Sequence, residues 1–138
     1  MVDGSSGVVS STNSIRIGGE NTLDRVVAEV DAPGVDSSSK GGLLAIDFDS
    51  PQNNQNTLSD VSPTIDYLGS GTSSASPLSL EASSAIGDSG GPAFIYDNLG
   101  WRSVGVVSYG TSDSTYGDIT VYTRVANHLS WIKSYLPN

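Results

Sequence analysis

Hydrophobic and polar positions along the 138 residues fall into short alternating runs, divided by turn-forming residues. Residues 3–14 are rich in Gly, Ser, Thr and Asn and read as a loop. Ile15-Arg16-Ile17 alternates briefly, and Arg25-Val26-Val27-Ala28-Glu29-Val30 makes a better strand. Ala32-Pro33-Gly34 breaks that strand, and Ser37-Ser38-Ser39-Lys40-Gly41 continues the turn. Leu43-Leu44-Ala45-Ile46-Asp47-Phe48-Asp49 follows as a strand ended by Ser50-Pro51. Residues 52–85 are polar and weakly patterned, with Thr64-Ile65-Asp66-Tyr67-Leu68 as one short strand. So long a stretch in a compact domain is functional or disordered, and its position just before the Gly-rich residues 87–91 reads as site-building loops.

Beyond residue 91 the pattern sharpens. Pro92-Ala93-Phe94-Ile95-Tyr96 is a strand, and Asp97-Asn98-Leu99-Gly100 is a hairpin turn. The next strand runs from Trp101 to Tyr109, and its continuous Val104-Gly105-Val106-Val107 centre predicts burial on both faces. Residues 110–117 form a loop, and Ile119 to Val125 is another strand. The period then changes. Val125, Leu129, Ile132 and Leu136 share one face at helical spacing, and Pro137 closes the segment. Six short strands and a C-terminal helix predict an all-β fold, a small antiparallel barrel with a helical tail.

Composition narrows the function classes. Hydrophobic residues make up 36% and charged ones 15%, with 16 glycines, which suits a turn-rich β domain. A net charge of −9 argues against nucleic acid and anionic membrane surfaces as partners. With no cysteine, disulfides and zinc–thiolate centres are excluded. No run is apolar enough to span a membrane, and the first seven residues lack the basic and apolar regions of a signal peptide.

The candidate chemistry lies in Gly87-Asp88-Ser89-Gly90-Gly91-Pro92. A serine hydroxyl is a poor nucleophile at neutral pH and needs a neighbouring base. Gly87, Ser89 and Gly91 satisfy a Gly-x-Ser-x-Gly string, which in α/β-hydrolases forms an elbow between strand and helix. Here an Ala/Ser-rich loop precedes the string and a strand follows it, which rejects the elbow. The bland alternative is a simple turn.

The chain resembles the trypsin-like, chymotrypsin-fold serine proteases. Four features carry the resemblance in order: residues 87–92; Val104-Gly105-Val106-Val107-Ser108-Tyr109-Gly110, similar to a strand ending in Ser-Trp-Gly; Val121-Tyr122-Thr123-Arg124-Val125, similar to Val-Tyr-Thr-Arg-Val; and the closing helix with Trp131-Ile132-Lys133. Residues 15–80 match less well, through bacterial-looking pieces such as Arg16-Ile17-Gly18-Gly19-Glu20-Asn21-Thr22 and Ile46-Asp47-Phe48-Asp49.

The resemblance implies the second, six-stranded Greek-key barrel of that fold, without its opening strand and with a C-terminal helix. Residues 1–138 are then one domain, the C-terminal half of a peptidase: a loop to 14, barrel strands and site loops over 15–85, nucleophile loop and groove strands over 86–124, and the helix from 125. Ser89 becomes the nucleophile of a serine endopeptidase. The N–H groups of Gly87 and Ser89 form the oxyanion hole, worth about 3–4 kcal/mol for one donor in a related enzyme. Gly90 and Gly91 permit close backbone approach. Asp88 is a structural charge that needs a cationic partner. Ser108 supports the catalytic aspartate, and Ser108, Tyr109 and Gly110 pair with the substrate as an added strand. Ser83 lies at the base of the primary specificity pocket, where trypsin has aspartate. Gly110 leaves one wall open and Thr120 narrows the other, which favours small or medium apolar side chains; Asp118 would reverse this if the loop register shifted.

Two triad members are missing. The family's Ala-Ala-His motif is absent, and the sole histidine, His128, lies on the C-terminal helix, as a surface histidine near its dipole. Asp24, Asp47 and Asp49 do not sit in the family's aspartate motif. The expected partners are a protein or peptide substrate and an N-terminal barrel half supplying His and Asp. Alone, the chain is expected to be inactive, with its oxyanion loop disordered or unproductive. It would be a gene fragment, a truncated product or a piece of a processed enzyme, secreted or periplasmic like its family. The alternative is a non-catalytic peptide-binding module. No cofactor is implied. Asp47, Asp49, Asp60, Asp66 and Glu81 lack the spacing of a calcium loop and read as solvated acidic loops, so no metal site is assigned. Trp101, Tyr109, Tyr122 and Trp131 read as core and rim.

Overall fold

Among the described residues, β-branched and aromatic side chains, punctuated by Gly, Pro and Asn, give five strands in one antiparallel sheet of order β1-β2-β5-β4-β3. The strands are β1 (Arg25–Val27), β2 (Leu43–Asp47), β3 (Pro92–Asp97), β4 (Gly100–Gly110) and β5 (Ile119–Arg124). A 3₁₀ turn (Val125–His128) leads into a short helix, α1 (Leu129–Ser134). The computed structural model describes residues 18–27, 41–52, 55–59, 68, 73–111 and 114–137. The expected strand at residues 15–17 lies outside these, as does all of the 64–68 segment but Leu68, which is in a 3₁₀ turn.

β2 lies between β1 and β5, and Leu44, Ala45, Ile46 and Asp47 are all buried. The core gathers Val27, Ala45, Leu58, Leu68, Ile119 and Val121. Phe48, just past β2, packs against the Tyr116 ring with centroids 4.9 Å apart. Its N–H donates to the Asp118 carbonyl at 2.8 Å, which extends the β2–β5 pairing by one link.

β3 and β4 form the expected hairpin, turning at residues 97–100 with Gly100 at φ +97°. A bulge falls between Ala93 and Phe94, and a second, in the β4–β5 ladder, between Val107 and Tyr109. The two-faced burial expected for the β4 centre is not found. Gly105 is buried, Val104 and Val107 are half-buried, and Val106 is 36% exposed. Continuous apolar sequence needs cover on both faces to become a buried strand. On this hairpin Phe94, Ile95, Tyr96 and Trp101 are exposed.

The tail also departs from expectation. The 3₁₀ turn packs against β4, while α1 buries no residue, and Leu129 and Leu136 are exposed. Tighter 3₁₀ winding breaks the 3.6-residue phase between Val125 and Leu129, so the apolar stripe is not one continuous face. Trp131 and Trp101 are 65% and 72% exposed, rather than core. The sheet is open among the described residues, so the barrel is not closed there, though the mainly antiparallel β architecture with one terminal helix is the expected class.

Candidate active site

The loop that carries Ser89 is held by the strand behind it. The Gly90 N–H donates to the Val107 carbonyl at 2.9 Å, and the Val107 N–H donates to the Gly91 carbonyl at 2.8 Å. This couples residues 90–91 to β4 immediately before Ser108, Tyr109 and Gly110. Within the loop, the Asp88 N–H donates to the Ala85 carbonyl at 3.0 Å, and the Gly91 N–H to the Asp88 carbonyl at 2.8 Å. Gly87 and Gly90 have φ of +106° and +83°, a region that a side chain would strain. Ser89 is exposed at the tip.

These bonds hold the loop in place. Asp88 is exposed, and its Oδ2 accepts the Ala85 N–H at 2.8 Å, so among the described residues a backbone donor meets the carboxylate. Such local capping by a short acidic side chain is usual for turns. The Tyr122 phenol lies close enough to feel the charge. Burial first, and then Asp88, push its pKa up to about 12.

A hydroxyl cluster closes the space next to the loop. Thr120 is fully buried, and its Oγ1 lies 2.9 Å from Ser83 Oγ and 2.9 Å from Ser84 Oγ. The Ser84 N–H donates to the same oxygen at 3.0 Å. Buried Ser114, at φ +60°, donates its hydroxyl to the Ser84 carbonyl. At Gly110 an added Cβ would come within 2.9 Å of the Ile119 carbonyl and 3.4 Å of Ser84 Oγ. Ser83, Thr120 and Gly110 therefore converge, and Ser84 and Ser114 join them unforeseen. Ser84 is signalled only by adjacency to Ser83, and Ser114 by nothing in its sequence. Asp118 is turned to its own loop: Oδ1 accepts from the Thr111 hydroxyl at 3.2 Å and Oδ2 from the Thr115 N–H at 3.0 Å.

Ser108 and Tyr109 lie at the β4 bulge, exposed beside Gly110. His128 is exposed at the end of the 3₁₀ turn. The acidic residues correct another expectation. Asp47 and Asp49 are buried rather than solvated, and Glu81 is half-buried; Asp60 and Asp66 lie outside the described residues, and Asp24 is buried as well. Among the described residues no group of three or more His, Cys, Asp or Glu is arranged to hold a metal ion. No helix among them is long and apolar enough to cross a membrane.

Comparison with known proteins places the chain in a family. The family model described as Trypsin matches residues 11–132. Spermosin of Halocynthia roretzi is 44% identical over 52 residues, 38% of this chain and 13% of that protein. Vitamin K-dependent protein C of Rattus norvegicus is 42% identical over 50 residues, 36% of this chain and 11% of that protein. Phenoloxidase-activating factor 3 of Holotrichia diomphalia is 47% identical over 53 residues, 36% of this chain and 15% of that protein. The chain thus spans only 11% to 15% of the length of these relatives. Because the family match runs from residue 11 to residue 132, across β1 to β5 and into α1, the chain belongs to the trypsin family of chymotrypsin-fold serine endopeptidases.

Proposed function

We propose that residues 1–138 form the nucleophile-bearing, C-terminal half of a serine endopeptidase, whose histidine and aspartate come from a segment outside this chain. In the assembled enzyme Ser89 Oγ attacks the scissile carbonyl while the histidine takes its proton. The Gly87 and Ser89 N–H groups hold the oxyanion, and the histidine returns the proton to the leaving amine. Water then repeats the sequence to release the acyl group from Ser89. Ser108, Tyr109 and Gly110 receive the substrate backbone as an extra strand.

The observation that carries this reading is the pair of hydrogen bonds between Val107 and residues 90–91, which sets the nucleophile loop beside β4. The pocket reading gains support from the Ser83–Thr120–Ser84 cluster beside Gly110. A neutral floor filled by threonine suits small or medium apolar substrate side chains and offers no counter-charge to Lys or Arg. Asp88 serves as the structural charge of the loop. A secreted enzyme of bacterial type, cleaving proteins or peptides without a cofactor, fits the family and the weaker matches in residues 16–22 and 46–49.

A fluorophosphonate probe tests the proposal on the chain alone and on the chain co-expressed with its upstream region. Labelling of Ser89 only in the second case supports the divided triad. Labelling in neither overturns it and favours a non-catalytic peptide-binding module, a reading that the single, exposed His128 keeps in view.

A further inference from the structure

Four carboxylates, from segments far apart in sequence, are tied by hydrogen bonds to one another's segments around the end of β2. Asp24 precedes β1, Asp47 ends β2, Asp49 lies two residues on, and Glu81 lies two residues before Ser83. Each carries a cross-link. Asp24 Oδ1 accepts the Ser74 N–H at 2.8 Å and Oδ2 the Asp47 N–H at 3.2 Å. Asp47 Oδ2 accepts the Leu58 N–H at 2.8 Å, and Oδ1 the Ser73 hydroxyl at 3.3 Å. Glu81 Oε1 accepts the Asp49 N–H at 2.8 Å, and Oε2 accepts the Leu78 N–H. Asn21 donates through Nδ2 to the Asp47 carbonyl at 2.8 Å and the Ala82 carbonyl at 3.1 Å. Asp49 alone is left short: its Oδ1 is buried without a hydrogen-bond partner among the described residues.

Among the described residues the charged neighbours are Arg25, Glu20 and Asp118. Arg25, next to Asp24, donates its guanidinium to the Leu58 carbonyl. Glu20 bridges Glu81 through the backbone, and Asp118 faces the end of β2 with its carbonyl. The described residues of these segments hold no lysine or histidine. Several buried carboxylates so close together cannot all ionise without cost. Protonation would turn Asp49 from an acceptor only into a donor and relieve the repulsion at once.

We propose that the Asp24–Asp47–Asp49–Glu81 cluster is a proton-operated strap: a proton held by Asp49 draws residues 78–84, and with them the Ser83–Thr120 floor, against the end of β2, and losing it loosens that floor. Burial, and then the charges of Asp47, Glu81 and Asp24, push the Asp49 pKa up to about 7. Burial, partly offset by the Ser74 N–H and reinforced by Asp47, pushes Asp24 up to about 6. Both values lie above the 3.8 of an unperturbed aspartate. The folded chain therefore binds more protons than the unfolded chain from about pH 4 to about pH 7. These groups contribute most below that window, and their contribution is lost as pH rises through it.

The link to the pocket rests on the pocket reading above, whereas the strap itself is tested without Ser89 chemistry. Thermal unfolding of the chain is compared at about pH 5 and about pH 8 for the wild type and Asp49→Asn. The expected result is a wild-type Tm several degrees higher at the lower pH, with most of that difference gone in the variant. Amide exchange at Asp49 and Leu78, corrected for intrinsic rate, should speed up at the higher pH in the wild type only. Equal Tm values at the two pH values, a Tm that falls on acidification, or an unchanged pH response in Asp49→Asn overturns the strap. If the variant does not fold, carboxyl carbon chemical shifts of the wild type decide: midpoints for Asp49 and Asp24 well above the ordinary carboxylate range uphold it, and ordinary midpoints overturn it. The outcome is separable from fluorophosphonate labelling, which reports on Ser89 alone.

Discussion

Thr120 Oγ1 lies 2.9 Å from Ser83 Oγ, although the two residues are 37 positions apart. One belongs to β5 and the other to the loop before the nucleophile. The threonine hydroxyl also meets Ser84 Oγ and the Ser84 N–H, so its donor and acceptor capacity is spent inside the cluster. A side chain fixed in this way would, on the proposed pocket reading, form its floor.

Thr120→Gly should therefore open the floor and shift cleavage by the assembled enzyme toward larger apolar side chains. Ser83→Asp should shift it toward Lys and Arg. The ratio of kcat/KM between matched peptide substrates reads both changes. Thr120→Gly should also destabilise the chain by about 1–3 kcal/mol, since buried partners lose a hydrogen bond. Unchanged selectivity in both variants would remove these residues from the specificity pocket.

Ser89→Ala should leave unfolding unchanged, because the side chain is exposed. It should abolish fluorophosphonate labelling and cut turnover of the assembled enzyme by several orders of magnitude, about 10⁶-fold where an equivalent residue was removed in another serine protease. Residual labelling at full strength would mean that the probe reports a different nucleophile.

Gly105 sits against a ring. An added Cβ would come within 2.9 Å of Tyr122 Cβ and 3.3 Å of its Cγ, from the neighbouring strand. Gly105→Ala should cost about 1–3 kcal/mol by overpacking, measured by urea unfolding. Gly18→Ala, with open space around the added methyl, is the control and should be near neutral.

Removing the Asp47 side chain should be more damaging than neutralising Asp49. Asp47→Ala leaves the buried Leu58 N–H without its acceptor and should cost about 1–3 kcal/mol at neutral pH. Chemical denaturation with both variants side by side measures the contrast.

Tyr122 carries an alkaline signature. Its folded pKa of about 12 exceeds the ordinary 10.0, so its contribution to stability is complete below 10 and is lost as pH rises toward 12. Ultraviolet titration should show a late-ionising tyrosine that is absent in Tyr122→Phe. That variant should also lose part of the alkaline destabilisation.

Much of the backbone was legible in the residue pattern. The β3–β4 hairpin follows from alternating strands around Asp97-Asn98-Leu99-Gly100, and β5 from residues 119–124, because turn chemistry and β propensity act locally. The turn of residues 87–91 was legible because Gly87 and Gly90 answer backbone demands that few other residues meet. The convergence of Ser83, Gly110 and Thr120 was expected from the family pattern, while Ser84 and Ser114 were not, since nothing local marks a hydroxyl that finds its partner 30 residues away or more.

By itself, then, the sequence determined the β-rich class, the hairpin, the serine loop and the family. Only the tertiary structure decided burial. The aspartates at 24, 47 and 49, polar in sequence, lie inside because distant segments close over them: N–H groups of Ser74 and Asp47 donate to Asp24 and that of Leu58 to Asp47, while the Asp49 N–H donates to Glu81. The apolar Val106 and Trp101 remain exposed because no described element packs over that part of the sheet. A side chain's intrinsic polarity sets what its burial would cost, but the distant segments that pack on it decide whether it is buried and what it meets there.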